Sequence, residues 1–405
     1  MKPWIKILIG LVLGVIAGLV VGHSVDFLER IGKAFIDLLK MLVGLIVFSS
    51  LVTGMCHISD PKKLGRIGVR TILFYAATTV LAIAFGLLLV FIMKPGSGLS
   101  LPLPPQSGAS MQGLGIVDFL FAIVPSNPFA SFAEGNVLQI IVFAIFFAFA
   151  ITLSGEKGKV VLNFFESVSE VMYSLTHFIM KLAPYGVFAL IASAVGSVGI
   201  KVILPLLKFL LCNYLACILQ IVIVFALSLK YLAKLKIGPF FKGMKDAIIL
   251  AFTTSSSSAT LPVSLECARN HLGISQDISG FVLSLGSTIN MNGAAIGQAI
   301  SAIFIAQAYG VAITWVKVAI LIFVSLVSAI GAAGIPGTGI VMLSVVLNAM
   351  GLPLEGIALV AGVDRLREMV SSVVNVLGDA VAAVFVAKQE KQIDEKQYHA
   401  VTWLE

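Results

Sequence analysis

The sequence predicts an all-α polytopic membrane protein, and three observations carry that prediction. Of 405 residues, 59% are hydrophobic and only 12% are charged, with mean hydropathy +1.06. Soluble domains carry roughly 25% charged residues, so a water-solvated globule is excluded. The apolar residues gather in runs long enough to cross a bilayer. The basic residues gather in short connections that fall on one side when the first spans are counted. The net charge of +7 is spread over these loops, and no basic domain interleaved with aromatics is present to bind nucleic acid. Cys56, Cys212, Cys217 and Cys267 form no C-x-x-C pair, and the five histidines are scattered, so neither a disulfide framework nor a metal cluster is expected.

The first run, 4–22, has lysines at its start, Lys2 and Lys6, but lacks a convincing cleavage site, and reads as a membrane helix. A second follows at 31–56, and the connection after it carries Lys62, Lys63, Arg66 and Arg70, which marks it as cytoplasmic. The third, 67–94, contains the polar cluster Tyr75, Thr78 and Thr79. The loop 95–115 is rich in Gly, Pro and Ser, and 116–135 is short and broken by Pro125 and Pro128. Helices are expected at 136–153, at 163–197 with Pro184 inside, and at 203–231. The loop holding Lys230, Lys234, Lys236, Lys242 and Lys245 returns to the cytoplasmic side, as does the charged tail, so both termini are expected there.

The second half changes character. The apolar stretch 246–265 is broken by Thr253–Pro262, 279–309 by Asn290–Gly293, and 316–349 by the glycine-rich run Gly331–Gly339. Interrupted apolar segments in corresponding positions point to a transport site at mid-membrane depth, because irregular backbone there is tolerated only where it lines a cavity or is buried in protein. The last long segment, 355–388, carries Asp364, Glu368, Ser371, Ser372, Asn375 and Asp379. At helical periodicity these fall within about 100° of one another. A carboxylate at the centre of a membrane helix costs about 2.5–3.5 kcal/mol, so this face needs water, a cation or a ligand. Internal ion pairs, Asp364–Arg367 and Arg365–Glu368 at i,i+3, are the competing reading, but they leave Asp379 without a partner. The serine run Ser255–Ser258 offers hydroxyls and, at a helix start, backbone amides suited to a carboxylate. Its competing reading is a turn with packing value only. No G-x-S-x-G elbow is present, so a serine enzyme is not expected. The Gly331–Gly339 run lacks the Lys-Ser/Thr ending of a phosphate loop and reads as a hairpin tip.

SSSSATLP, NMNGA, GIPGTG and NVLGD, in this order, together with GRIGVRTILFYAATT in the third segment, resemble the dicarboxylate/amino acid:cation symporter family, which includes glutamate transporters and neutral amino-acid exchangers. The resemblance spans nearly the whole chain. It implies eight transmembrane helices plus two re-entrant helical hairpins, about 240–277 and 313–350, in an elevator-type fold with inverted repeats. It also implies a homotrimer in the plasma membrane, the inner membrane in a bacterium. Residues 1–66 and 116–200 would form a scaffold, and 67–95 with 201–405 a transport domain.

By the same resemblance, Ser255, Ser256 and Ser257, the hairpin-tip residues Gly334, Ile335 and Gly339, and Asn375 would surround the substrate, with Glu368 binding its ammonium group. Acidic-substrate members place an arginine where this chain has Ser371, and a threonine where it has Ala294. With Ser372 beside them, these small uncharged residues lead to the expectation of a small neutral L-amino acid, with an acidic amino acid or a C4-dicarboxylate as the alternative. No cofactor is implied beyond Na+ as coupling ion. One cation site would use Asp379 with carbonyls of Gly286, Asn290 and Asn375, and a second Thr288 with carbonyls of Ala329, Ile330 and Ala332. A third would use Tyr75, Thr78, Thr79 and Asn290. The family's aspartate at that site is Asn292 here, which puts the third ion in doubt. A channel-like pore and an intramembrane enzyme are the readings from other classes; the first has no use for Glu368, and the second lacks an arranged base.

Overall fold

The computed structural model describes residues 3–21, 26–58, 61–99, 101, 124–134, 136–198, 203–331 and 337–400. Among these the chain is helical throughout apart from turns and one isolated bridge pair, Ile274 with Ile393. The helices are α1 (Pro3–Val21), α2 (Asp26–Ile58), α3 (Pro61–Met93), α4 (Pro128–Glu134), α5 (Val137–Leu153), α6 (Gly158–Met180) and α7 (Ala183–Val198). Then come α8 (Ile203–Leu219), extended by π turns to Leu232, α9 (Ile237–Gly243), α10 (Lys245–Thr254), α11 (Ser257–Glu266), α12 (Gln276–Ile289) and α13 (Asn292–Ala308). The last are α14 (Trp315–Gly331), α15 (Thr338–Ala349), α16 (Ile357–Gln389) and α17 (Glu395–Ala400).

Among the described residues, four continuous stretches, Arg66–Met93, Ile203–Leu232, Gln276–Ala308 and Leu354–Gln389, are long and apolar enough to cross a membrane. On α3, Leu73, Leu81, Leu88 and Ile92 point outward, as expected of a helix facing lipid. The expected single helix over 163–197 is instead α6 and α7, separated at Lys181–Leu182. Pro184 causes the break: it has no N–H to donate, and its ring clashes with the carbonyl one turn earlier. The Tyr185 and Gly186 amides turn back to the Leu182 carbonyl instead.

Two packing groups emerge. In one, α1 lies along α7, and α2 lies against α5, α6 and α7. Gly10, Gly14 and Gly18 recur every fourth residue on α1, and a methyl on any of them would overlap the carbonyls of Pro184, Phe188 and Ala192. Small residues at that spacing let helix backbones approach closely where no hydrophobic drive between helices exists. In the other, α3, α8 and α10 to α13 gather around α16. The pair α14 and α15 contacts both groups, and α16 itself also packs against α7 and α1.

At its end α16 is tied down by polar contacts. Glu390 accepts from Arg66 and from Arg70 of α3. The Arg66 hydrogen bond holds the Glu390 carboxyl below the usual glutamate range, against desolvation, which pushes it up; the charges of Arg66 and Arg70 add to the lowering. Lys388 pairs with Glu395, the Tyr398 hydroxyl donates to the Lys236 carbonyl at 2.8 Å, and Gln397 donates to the carbonyls of Arg269 and Asn270.

Candidate functional site

The polar face of α16 is buried along its length, and the opposite face is half-exposed only toward the start, Val373, Val376 and Leu377 being buried as well. Asp364, Glu368, Ser371, Ser372, Asn375 and Asp379 are all buried, whereas Leu366, Met369 and Val370 are half-exposed. Ionisable residues in membrane helices face the protein interior for the reason that makes them costly elsewhere. Glu368 is held at the start of α15: the Gly337 amide donates to its two oxygens at 3.1 and 3.2 Å. Gly337 has φ +92°, a conformation that favours glycine, and it aims the positive end of α15 at the carboxylate. Arg365 donates to the Thr254 carbonyl at 2.9 Å, at the C-terminal end of α10, and lies 3.8 Å from Glu368. Arg367 pairs with Asp364, so both expected i,i+3 pairs form.

The tip between α10 and α11 is Ser255–Ser256. Ser255 is left-handed (φ +54°), which reverses the chain, and the Ser256 hydroxyl caps α11 by accepting from the Ala259 amide at 3.1 Å. The break is therefore two residues long, and Pro262 lies inside α11. The hydroxyls of Ser255 and Ser257 are buried with no hydrogen-bond partner among the described residues. Two unsatisfied hydroxyls beside the free amides of a helix start fit an incoming anion.

The break between α12 and α13, at Asn290–Met291, sits against the middle of α16. Asn290 donates to Asp379 at 2.8 Å, and Asn375 accepts from the Gly293 amide at 2.7 Å, capping α13 from a neighbouring helix. Asp379 is 4% exposed and forms no ion pair among the described residues. A methyl on Gly286 would overlap both the Asp379 carboxylate and the Tyr75 hydroxyl, so these groups close over that backbone. Thr79 donates to Asn292 at 2.6 Å, Asn292 donates to Thr78 at 3.2 Å, and the Tyr75 hydroxyl donates to the Val282 carbonyl at 2.9 Å. The carboxamide oxygen of Asn290, fully buried, is unpartnered among the described residues. A carboxylate beside an unpartnered carboxamide oxygen offers hard oxygen donors of the kind a monovalent cation takes, and the hydroxyls of Thr78 and Thr79 bond to Tyr75 and Asn292. No cluster of three His, Cys, Asp or Glu suited to a transition metal occurs among the described residues.

Ala332, Gly334 and Ile335 lie outside the described residues. Ala329 is buried and Ile330 falls in the last turn of α14. Gly339 is in the first turn of α15, and Ala294 is half-buried. Thr288 is exposed, its hydroxyl donating to the Leu285 carbonyl at 2.9 Å. Three further residues lie beside these: Gln220, which the sequence did not single out, and Cys217 and Arg367, which it did not place here. Gln220 of α8 donates to the Thr78 carbonyl at 3.0 Å, and its own oxygen is buried and unpartnered among the described residues. A glutamine within ACILQIVIVF was the available clue. Cys217, one turn earlier, lies against Arg367 and Ser371. Arg367, read from the sequence only as a partner for Asp364, places its guanidinium beside the Ser371 hydroxyl, at 3.5 Å.

Residues 4–389 match the model of the sodium:dicarboxylate symporter family. The chain is 38% identical to a proton/sodium-glutamate symport protein of Geobacillus stearothermophilus, over 98% of this chain and 97% of that protein. It is 35% identical to a proton/glutamate-aspartate symporter of Escherichia coli, over 97% and 94%. It is 34% identical to a C4-dicarboxylate transport protein of Serratia proteamaculans, over 98% and 94%. None of these names is that of a neutral amino-acid carrier, so the neutral-substrate expectation finds no support in them. With a family match that runs from α1 to the end of α16, the chain belongs to the sodium:dicarboxylate symporter family.

Proposed function

We propose that the chain is a secondary active symporter that couples uptake of an acidic amino acid to Na+ or H+. The observation that carries this is the convergence of three interrupted helix pairs on one buried polar face of α16. The acidic assignment draws on the relatives named for glutamate and aspartate. Glu368 favours an amino acid over a plain C4-dicarboxylate, because an ammonium group offsets its charge where a second anion alone would not.

In this reading the substrate α-carboxylate lies at Ser255–Ser257 and the first amides of α11, and its ammonium group at Glu368. Asp379, with Asn290, Asn375 and the Gly286 carbonyl, takes a cation. A buried carboxylate without a counter-charge is costly, so half-loaded forms are disfavoured during the crossing, and substrate and cation move together. Further cation positions are proposed at Thr288 with Ala329, Ile330 and Ala332, and at Tyr75, Thr78, Thr79, Asn290 and Asn292. The group built on α1, α2 and α5 to α7 acts as scaffold, and the group around α16 as the moving body of an elevator. The pair α10–α11 and the pair α14–α15 act as re-entrant hairpins within eight spans. Trimeric assembly in a bacterial inner membrane, with cytoplasmic termini, completes the proposal.

A second reading, a small neutral amino acid, is favoured by Ser371 and Ala294, which bring neither charge nor bulk to the pocket. Uptake into proteoliposomes separates the two. Labelled glutamate or aspartate should accumulate saturably on a cation gradient, and excess serine or alanine should fail to compete. Competition by serine or alanine, with no accumulation of acidic substrates, would favour the neutral reading; unsaturable flux would point to a pore.

A further inference from the structure

The guanidinium of Arg367 is the most buried fixed cation on α16, at 3% exposure, and its donors are unevenly used. Nε and Nη2 both donate to one oxygen of Asp364, each at 2.7 Å. Nη1 reaches only the Ser371 hydroxyl, at 3.5 Å, the limit of a hydrogen bond. Arginine carries five N–H donors in a planar fork, and buried donors left short of acceptors are costly. The surroundings are built to admit the group. A methyl on Gly297 of α13 would overlap Nη1, and one on Gly339 of α15 would come within 2.6 Å of Nη2. The same methyl on Gly339 would lie 3.0 Å from a Glu368 oxygen. A guanidinium and a carboxylate thus flank one point of the α15 backbone. A ligand presenting an ammonium group on one side and a planar anion on the other matches that pair.

We propose that Arg367 is the specificity-determining residue that receives the side-chain carboxylate of an acidic substrate, its fork reaching one helical turn along α16 to the level of Ser371. Asp364 holds the guanidinium by one edge and leaves Nη1 for the ligand. Ser371, small and neutral, leaves that approach open. This role rests on the acidic-substrate reading above.

The test is calorimetric binding of L-glutamate, L-aspartate and L-glutamine to the purified full-length protein in Na+. The wild type should bind the two acids and discriminate against glutamine. Arg367→Gln should weaken glutamate by roughly 100-fold or more, the loss expected when a buried anion loses its cation, and should leave glutamine little changed. Because Arg367→Gln alone strands Asp364, the double variant Asp364→Asn, Arg367→Gln is decisive. It removes both charges, so a merely structural pair would be restored, and glutamate binding with it. Glutamate binding that stays weak in the double variant, with glutamine retained, supports the role. Wild-type glutamate affinity in the double variant overturns it. Equal loss of glutamate and glutamine in both variants also overturns it. Moving the guanidinium with Arg367→Ser, Ser371→Arg should recover acidic binding, and failure to do so counts against the geometry. If the wild type binds only neutral amino acids, the acidic reading itself fails, and this role falls with it.

Discussion

Gly286 illustrates how much of the site is decided by single atoms. Its α-carbon faces the Asp379 carboxylate and the Tyr75 hydroxyl so closely that a methyl would overlap both. Gly286→Ala should therefore displace Asp379 from the cation position while the fold persists. Overpacking costs about 1–3 kcal/mol, so the Na+ concentration for half-maximal uptake should rise roughly tenfold. An unchanged Na+ dependence would separate Asp379 from the cation. Glu368→Gln should act on the other ligand: the amide oxygen can still accept from Gly337, but it brings no charge to an ammonium group. Binding of amino acids should weaken, and a dicarboxylate lacking the ammonium should gain relative to glutamate. Asp379, Glu368 and Ser371 were legible in the sequence because charge and hydroxyl stand out in an apolar run. Arg367 was visible as a pair but not as the ligand contact proposed above, since i,i+3 spacing tells which residues meet and not which way the remaining donors point. Gln220 was missed because one polar residue on a helix far away in sequence carries no pattern.

At the scale of elements, the hairpin α10–α11 depends on two serines with different duties. Ser256 caps α11, and losing a cap costs about 0.5–2 kcal/mol, typically near 1. Ser256→Ala should lower thermal stability by that amount and weaken the substrate, with Ser256→Asn restoring both. Stability lost without any change in substrate affinity would mean that the α11 start does not face the ligand. The interrupted segments were legible because clustered serine, asparagine or glycine inside an apolar run marks where a helix gives way. The length of the break was not: Thr253–Pro262 suggested ten residues, but the chain opens only at Ser255–Ser256, where left-handed Ser255 reverses it and the Ser256 hydroxyl caps α11 at once, and Pro262 is carried inside that helix. Pro184, by contrast, does mark a helix boundary: it is the second residue of α7. The clasp of Arg66 and Arg70 on Glu390 gives a prediction in pH. The carboxyl is held below its ordinary value in the folded chain, so its contribution is present above the unfolded value and lost as pH falls through the folded one. The protection of amides at the start of α3 against hydrogen exchange, taken relative to the intrinsic rate at each pH, should therefore be high at neutral pH and fall in acid as the Glu390 carboxyl is protonated. Glu390→Gln should give the low protection at neutral pH. A variant that exchanges no faster would show that the clasp does not restrain α3.

At the scale of the whole molecule, the question is how much charge crosses with each substrate. An acidic amino acid carries net −1, so one monovalent cation makes the cycle neutral and two make it carry +1. The Asp379 position is framed by α3, α12, α13 and α16, and the neighbouring Thr78, Thr79 and Asn292 satisfy one another. Asn292 brings no formal charge to hold a further ion there, which argues for few cations rather than many. The membrane potential discriminates, because each elementary charge moved is worth about 2.3 kcal/mol per 100 mV. If the α14–α15 tip supplies a second cation position, an inside-negative potential should drive glutamate accumulation in proteoliposomes beyond what the Na+ gradient supports. Asn292→Asp should then steepen the dependence on Na+ concentration by adding charge to the cluster at Thr78 and Thr79. Accumulation indifferent to potential in the wild type would mean a single cation per cycle, carried at Asp379. A steepened Na+ dependence in Asn292→Asp, on that background, would identify the missing carboxylate as the reason.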